Sequence, residues 1–110
     1  MLFRTLRAVT AFRKKHLPFL RSLEDVELMH EVGYRQEEGR PISVKELHEL
    51  RLAPVPTLQR RLRRLTQAGA LVARRAERDA RLVELTISPK VLRIYSRYGE
   101  FFVQHRRGHD

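Results

Sequence analysis

A mainly α fold with a small β-hairpin is predicted by three observations on this sequence. Thr57-Leu58-Gln59-Arg60-Arg61-Leu62-Arg63-Arg64-Leu65 keeps Leu58, Leu62 and Leu65 at the spacing of one buried helical stripe and loads its other sides with arginine. Gly69 follows one turn later, and the apolar period then shifts towards two. Leu71-Val72-Ala73-Arg74-Arg75 and Asp79-Ala80-Arg81-Leu82-Val83-Glu84-Leu85-Thr86 therefore read as two short strands. Serine, proline and glycine divide the remainder into further helices. At 110 residues the chain reads as one domain, 1–110, long enough for a real core and too short for two independent ones.

The elements follow in order. A first helix, 1–17, places Leu2, Leu6, Val9 and Phe12 on one face and stops near His16, because the residue before Pro18 is pushed out of the α region. Ser22, with Asp25 three residues on as a loose capping box, opens a second helix. Leu23, Val26, Met29 and Val32 form its stripe, and it ends before Gly39; Gly33 is a mild cost inside it, or an early end. Arg40-Pro41-Ile42 reads as a short extended piece, the first strand. Ser43 and Glu46 form a sharper capping box for a helix through Val44, Leu47 and Leu50. Arg51-Leu52-Ala53 is a turn, and Pro54 and Pro56 fit only in that turn or in the first positions of the arginine helix.

Two helices joined by so short a turn make a helix-turn-helix, and the hairpin after them makes it a winged helix-turn-helix over 22–88. Ser88-Pro89 opens a last helix, 89–107, with Val91, Ile94, Tyr95, Tyr98, Phe101 and Phe102, before a polar tail. The expected order is helix, helix, strand, helix, helix, strand, strand, helix.

Hydrophobic residues make up 42% of the chain, which excludes compositional disorder. A net charge of +10 and a pI near 11.2 call for an anionic partner, usually nucleic acid. No apolar run is long enough to span a membrane, and the basic residues are spread over several amphipathic segments rather than one lipid-binding tail. The segment from Met1 to Val9 is Arg-rich and distantly resembles an organelle transit peptide, but its one-sided apolar face suits a docked helix.

Cysteine is absent, which excludes a disulfide framework, a thiolate nucleophile and thiol-based sensing, and is compatible with a reducing cytoplasm, where a DNA-binding protein would be nucleoid-associated. There is no Gly-rich phosphate loop and no serine placed with a base. His16, His30, His48, His105 and His109 are scattered; His105 and His109 lie four apart with no third ligand. No catalytic site, metal or cofactor is expected, and the chain does not read as an enzyme.

The arginine helix carries the strongest chemical signal. With its leucines inward, a step of about 100° per residue turns Arg60, Arg63, Arg64 and Gln67 outward or to the flanks. Arginine and glutamine pair bidentately with guanine and adenine edges. The first residues of the second helix reach the bases in such folds, which nominates Val55, Pro56, Thr57, Gln59 and Arg60, with Arg63 and Arg64 on phosphates. A merely solvated helix usually mixes charge signs. Here eight arginines between Pro54 and Arg81 meet only Glu77 and Asp79. Arg74, Arg75, Arg78 and Arg81 sit at or near the hairpin tip, where a ribbon reaches the minor groove, and Asp79 is expected to hold Arg81 or a neighbour in position.

Asp79-Ala80-Arg81 followed by Leu85-Thr86-Ile87-Ser88 resembles the D-x-R…L-T-x-T/S wing signature of the multiple-antibiotic-resistance-regulator (MarR) family of bacterial transcription factors. Leu62-Arg63-Arg64-Leu65-Thr66-Gln67-Ala68-Gly69-Ala70-Leu71-Val72 resembles that family's L-x-x-L-x-x-x-G-L-V passage from recognition helix to wing, with Ala70 inserted. The resemblance covers about Ser22 to Ser88. It implies a sequence-specific double-stranded DNA-binding regulator with the arginine helix in the major groove, Arg81 near the minor groove, and a homodimer built by the outer helices.

Four departures stand out, the first being that Pro54 and Pro56 crowd the start of the recognition helix. The wing is about two residues shorter than usual. Arg61 occupies a core-facing position that is commonly apolar in the family. The chain also ends after one C-terminal helix, so effector sensing is not carried over and any small-molecule effector is unknown. The candidate dimer surface is Leu2, Leu6, Val9, Tyr95, Tyr98, Phe101 and Phe102, which packing between the first and last helices within one chain would equally use. A plasmid or phage replication or accessory factor remains an alternative, as does a winged helix used for protein or RNA binding.

Overall fold

The computed structural model describes residues 1–109, and the side chains of all of these but Phe102 and 104–109. Five helices and two strands follow in the order α1 (Leu2–His16), α2 (Leu23–Glu37), α3 (Val44–Glu49), α4 (Val55–Gln67), β1 (Leu71–Arg75), β2 (Val83–Ile87) and α5 (Pro89–His109). The contacts divide into two units: Ser22–Ser88 is one, and α1 with α5 forms the other.

Within Ser22–Ser88 the helix boundaries follow from local chemistry. Ser22 Oγ accepts the Asp25 N–H at 3.2 Å and starts α2. α2 runs through Gly33 without ending there. A Cβ at that position would lie 3.0 Å from Ile87 Cδ1, so the missing side chain lets β2 approach the helix. Ser43 and Glu46 form a reciprocal capping box on α3, with Oγ accepting the Glu46 N–H at 3.0 Å and Oε1 accepting the Ser43 N–H at 3.2 Å.

Both long helices of this unit end on a left-handed glycine. After α2, Gly39 (φ 80°) lets Arg40 N–H reach Arg35 O at 3.1 Å; after α4, Gly69 (φ 76°) lets Ala70 N–H reach Leu65 O at 2.9 Å. Each is the paired-bond helix stop that a residue without Cβ adopts at no steric cost. The short turn from α3 to α4 uses a left-handed residue too, but there it is Arg51, at φ 53°. Pro54 caps α4 and Pro56 lies in its first turn, where a missing N–H leaves no bond unmade.

The core of this unit gathers Leu28, Met29 and Val32 from α2, Leu47 from α3, Leu58, Leu62 and Leu65 from α4, and Leu71, Leu85 and Ile87 from the hairpin. The α2 stripe is rotated from expectation: Leu23 is 69% exposed, whereas Leu28 and the carboxylate of Asp25 are buried. β1 and β2 pair antiparallel, Leu71 opposite Ile87 and Arg75 opposite Val83.

Two expected strands are corrected. Arg40-Pro41-Ile42 does not form a strand: it contributes one Ser43–Glu84 bridge and a Leu85 N–H to Ile42 O bond of 2.9 Å. Pro41 has no N–H to extend the ladder. The second hairpin strand begins at Val83 rather than Asp79, because Asp79 O accepts the Leu82 N–H at 3.0 Å and bends 79–82 into a turn. At the far end of β2, Ile87 N–H donates to Gln36 Oε1 at 2.8 Å.

In the other unit, α1 and α5 pack through aromatic rings. Phe12 lies 4.8 Å from Tyr98 and 5.3 Å from Phe101, ring centre to ring centre, with the Arg97 guanidinium 5.2 Å above its face. Tyr98 is buried, and burial pushes its phenol and that of Tyr95 above their ordinary values. The covered side of α1 runs through Thr5, Val9 and Phe12, leaving Leu2 and Leu6 exposed at 57% and 43%. The sequence placed those two leucines on the docked face; that face is rotated by a residue.

Gly69 has open space around a would-be Cβ, so its replacement isolates the backbone term. Gly69→Ala should lower stability by about 1 kcal/mol through left-handed strain, read as a lower urea midpoint with an unchanged m-value.

Candidate nucleic-acid interface

α4 is built to show two faces. Leu58, Leu62 and Leu65 are buried; Pro56, Gln59, Arg60, Arg63 and Gln67, spaced three and four apart, are exposed on the opposite side together with Val55 at the helix start. Thr57 is half-buried. Arg60 and Arg63 pair with no acid among the described residues, so this face presents free guanidinium groups and one amide. Of the residues nominated from sequence, Val55, Pro56, Gln59, Arg60 and Arg63 therefore share accessible ground.

Arg64 behaves differently. Expected beside a phosphate, it lays Nη2 against both oxygens of Asp25, at 2.7 and 2.8 Å. Arg61 approaches the same carboxylate with Nε 3.8 Å from Oδ1. Asp25 is fully buried, while the two arginine side chains are about a quarter exposed, so their stems line the core edge and their heads meet one carboxylate.

Sequence reasoning missed Asp25 as the partner of Arg61 and Arg64, although each helix carried a sign of it. Asp25 is an acid on the apolar stripe of α2 with Leu28, Met29 and Val32, and Arg61 is a cation at an otherwise apolar position of α4. A buried charge needs a partner, and each anomaly answers the other.

The wing arginines also divide. Arg74 and Arg75 belong to β1 rather than to the tip, and both are exposed. Arg75 Nη1 donates to Ala80 O at 3.1 Å, bracing the loop. Arg78 is tied inward, Nε to Glu84 Oε2 and Nη2 to Glu46 Oε1, each at 3.4 Å, and so joins the wing to the cap of α3. Arg81 is 89% exposed at the side chain, yet Asp79 accepts its backbone N–H at 3.0 Å and its Nε and Nη2 at 3.1 Å. An aspartate bonding the backbone two residues on is a turn-forming device; here it also orients a guanidinium. Those bonds hold the Asp79 carboxyl below its usual range and raise Arg81 further. A cleft of about 410 Å³ beside the wing is lined by Arg40, Arg74, Arg75 and Arg78 with Glu77 and Glu84.

Among the described residues there is no cluster of three or more metal-ligating acids, histidines or cysteines, and no helix is long and apolar enough to cross a membrane. His105, His109 and Phe102 lie outside the described side chains.

Two helices joined by a short turn and followed by a braced two-stranded hairpin define the winged helix-turn-helix class. Solved structures place the fold more narrowly. A crystal structure of MarR superposes with a TM-score of 0.55 at 19% identity, covering 94% of this chain and 79% of its own. A MarR transcription factor from Planctomyces limnophilus gives a TM-score of 0.54 at 23% identity, covering 98% and 79%. The fold is thus MarR-like, with two strands where three were expected. No protein-family model matches the chain. No curated protein matches it.

Glu46 serves both the α3 cap and Arg78, and its carboxyl is held below its ordinary value of 4.5, first by the Ser43 backbone N–H and then by the Ser43 hydroxyl. A depressed folded-state pKa adds stability above the unfolded value and loses it as pH falls through the folded one. Thermal melts from neutral to acid pH should therefore show Glu46→Ala losing less stability below 4.5 than the parent, which starts higher.

Proposed function

We propose that this protein binds double-stranded DNA sequence-specifically, as a transcriptional regulator acting as a homodimer. The exposed face of α4 carries the reading: Gln59, Arg60 and Arg63 without an acid among them, on the second helix of a helix-turn-helix. The P. limnophilus neighbour is itself a transcription factor. In this reading Val55, Pro56, Thr57, Gln59 and Arg60 face base edges in the major groove, and Arg63 meets phosphate. Arg81, aimed by Asp79, enters the adjacent minor groove, with Arg74 and Arg75 on the flanking backbone. Arg78 holds the wing at its root.

The dimer would form through the outer helices, where Leu2, Phe3 and Leu6 of α1 and Val103 of α5 leave apolar surface uncovered. Val9, Tyr95, Tyr98 and Phe101 support that surface from within the α1–α5 contact. Two copies would place two α4 helices on an inverted repeat.

Duplex affinity should fall steeply with salt, by about 0.9 log units per log unit of salt for every phosphate neutralised; a slope near zero sinks the DNA reading. Arg60→Ala should weaken the preferred sequence by about 1–3 kcal/mol and relax its preference, whereas Arg74→Ala should weaken all sequences alike. Sedimentation at tens of micromolar should show a dimer; a monomer there removes the two-fold arrangement while leaving DNA contact standing.

A further inference from the structure

We infer that Asp25 is a positioning residue that sets specificity: it withholds Arg61 and Arg64 from the DNA backbone, so that α4 meets a duplex through Gln59, Arg60 and Arg63. The inference rests on the reading of α4 as the DNA-facing helix.

One short helix carries four arginines with two fates. Arg60 and Arg63 stand in solvent on the exposed face. Arg64 is held by two bonds of 2.7 and 2.8 Å and Arg61 by a 3.8 Å contact, both to a carboxylate with no exposed surface. Arg64 sets a single nitrogen, Nη2, between both oxygens of the carboxylate, and charge-assisted contacts of this length are stronger than neutral hydrogen bonds. Both guanidinium groups lie on the flank of α4 and remain about a quarter exposed at the side chain, so a swing of the side chain alone brings either to the water that a bound duplex would border.

Phosphate contacts raise affinity for every sequence, and specificity is the ratio of cognate to non-cognate binding. Two arginines neutralised at the helix flank lower the sequence-independent part and leave base contacts at the start of α4 untouched. The acid that does so is placed where it meets both cations and blocks neither Gln59 nor Arg60. A purely structural pair would anchor α4 to α2 and leave the number of phosphates neutralised unchanged on its removal.

The test uses the full chain with a random-sequence duplex and a duplex selected for binding, titrated over a range of salt. Asp25→Asn, close in shape and uncharged, should steepen the salt slope by about 0.9 for each arginine released. It should also tighten random-duplex binding several-fold and reduce the cognate to non-cognate ratio. Arg61→Gln should leave the parent slope unchanged, while Arg63→Gln should flatten it by about 0.9. A folded Asp25→Asn with the parent slope and ratio overturns the inference, as does an Arg61→Gln that flattens the slope as Arg63→Gln does. Should Asp25→Asn fail to fold, Asp25→Asn combined with Arg64→Gln decides: with the carboxylate and its nearer partner both neutral, Arg61 is released and the slope should steepen by about 0.9 against the parent, and a parent slope overturns the inference. A parent protein with no salt-dependent duplex binding overturns the DNA reading itself, a result that no comparison among the variants would imitate.

Discussion

Asp25 is a fully buried carboxylate on α2, and its two short bonds to Arg64 set where α4 sits. Apolar packing alone allows a helix to slide or roll on its stripe, since leucines present similar surfaces to neighbouring grooves. A buried ion pair is less tolerant: sliding or rolling the helix would pull Arg64 Nη2 off the carboxylate, and loss of a partner from a buried pair typically costs about 3–5 kcal/mol. Arg61 shares the same acid at greater distance and limits rotation from a second position one turn earlier. The buried leucines of α4 and the Asp25 contacts of Arg61 and Arg64 together leave Gln59, Arg60 and Arg63 facing solvent.

The wing is held by a similar economy of acids. Glu46 caps α3 and receives Arg78, so the start of the helix-turn-helix and the root of the hairpin share one carboxylate. Asp79 folds the tip into a turn and steadies the one arginine that projects from it. In a chain of net charge +10, each of these acids fixes the place of a particular cation. The basic surface is consequently sorted: some guanidinium groups brace the fold, and others stay open to a ligand.

Much of the fold was legible because its signals are local. Pro18, Ser22, the Ser43–Glu46 box and Gly69 act on residues within one turn of themselves, and the helices begin and end beside them. The leucine stripe of α4 read correctly for the same reason. What escaped was tertiary. Arg64 and Asp25 lie 39 residues apart, and nothing in either neighbourhood says which helix answers which charge. The start of β2 was misplaced because Asp79-Ala80-Arg81 alternates like a strand, while the Leu82 N–H to Asp79 O bond that bends it leaves no mark on the pattern. The split among the arginines was equally hidden, since composition cannot separate a guanidinium held by an acid from one left in water.

The bonds from Leu85 and Ile87 to Ile42 O and Gln36 Oε1 have a bearing on self-association. A two-stranded ribbon has two open sides, each a row of donors and acceptors onto which another chain can add. Here the side belonging to β2 bonds a carbonyl and an amide of the same molecule, and among the described residues the outer side of β1 has no strand partner. That strand ends in Arg74 and Arg75, and like charges brought together there repel. Mutual repulsion rather than steric cover guards the outer edge of β1, and concentrated salt, which screens that repulsion, should weaken the guard against strand-to-strand association.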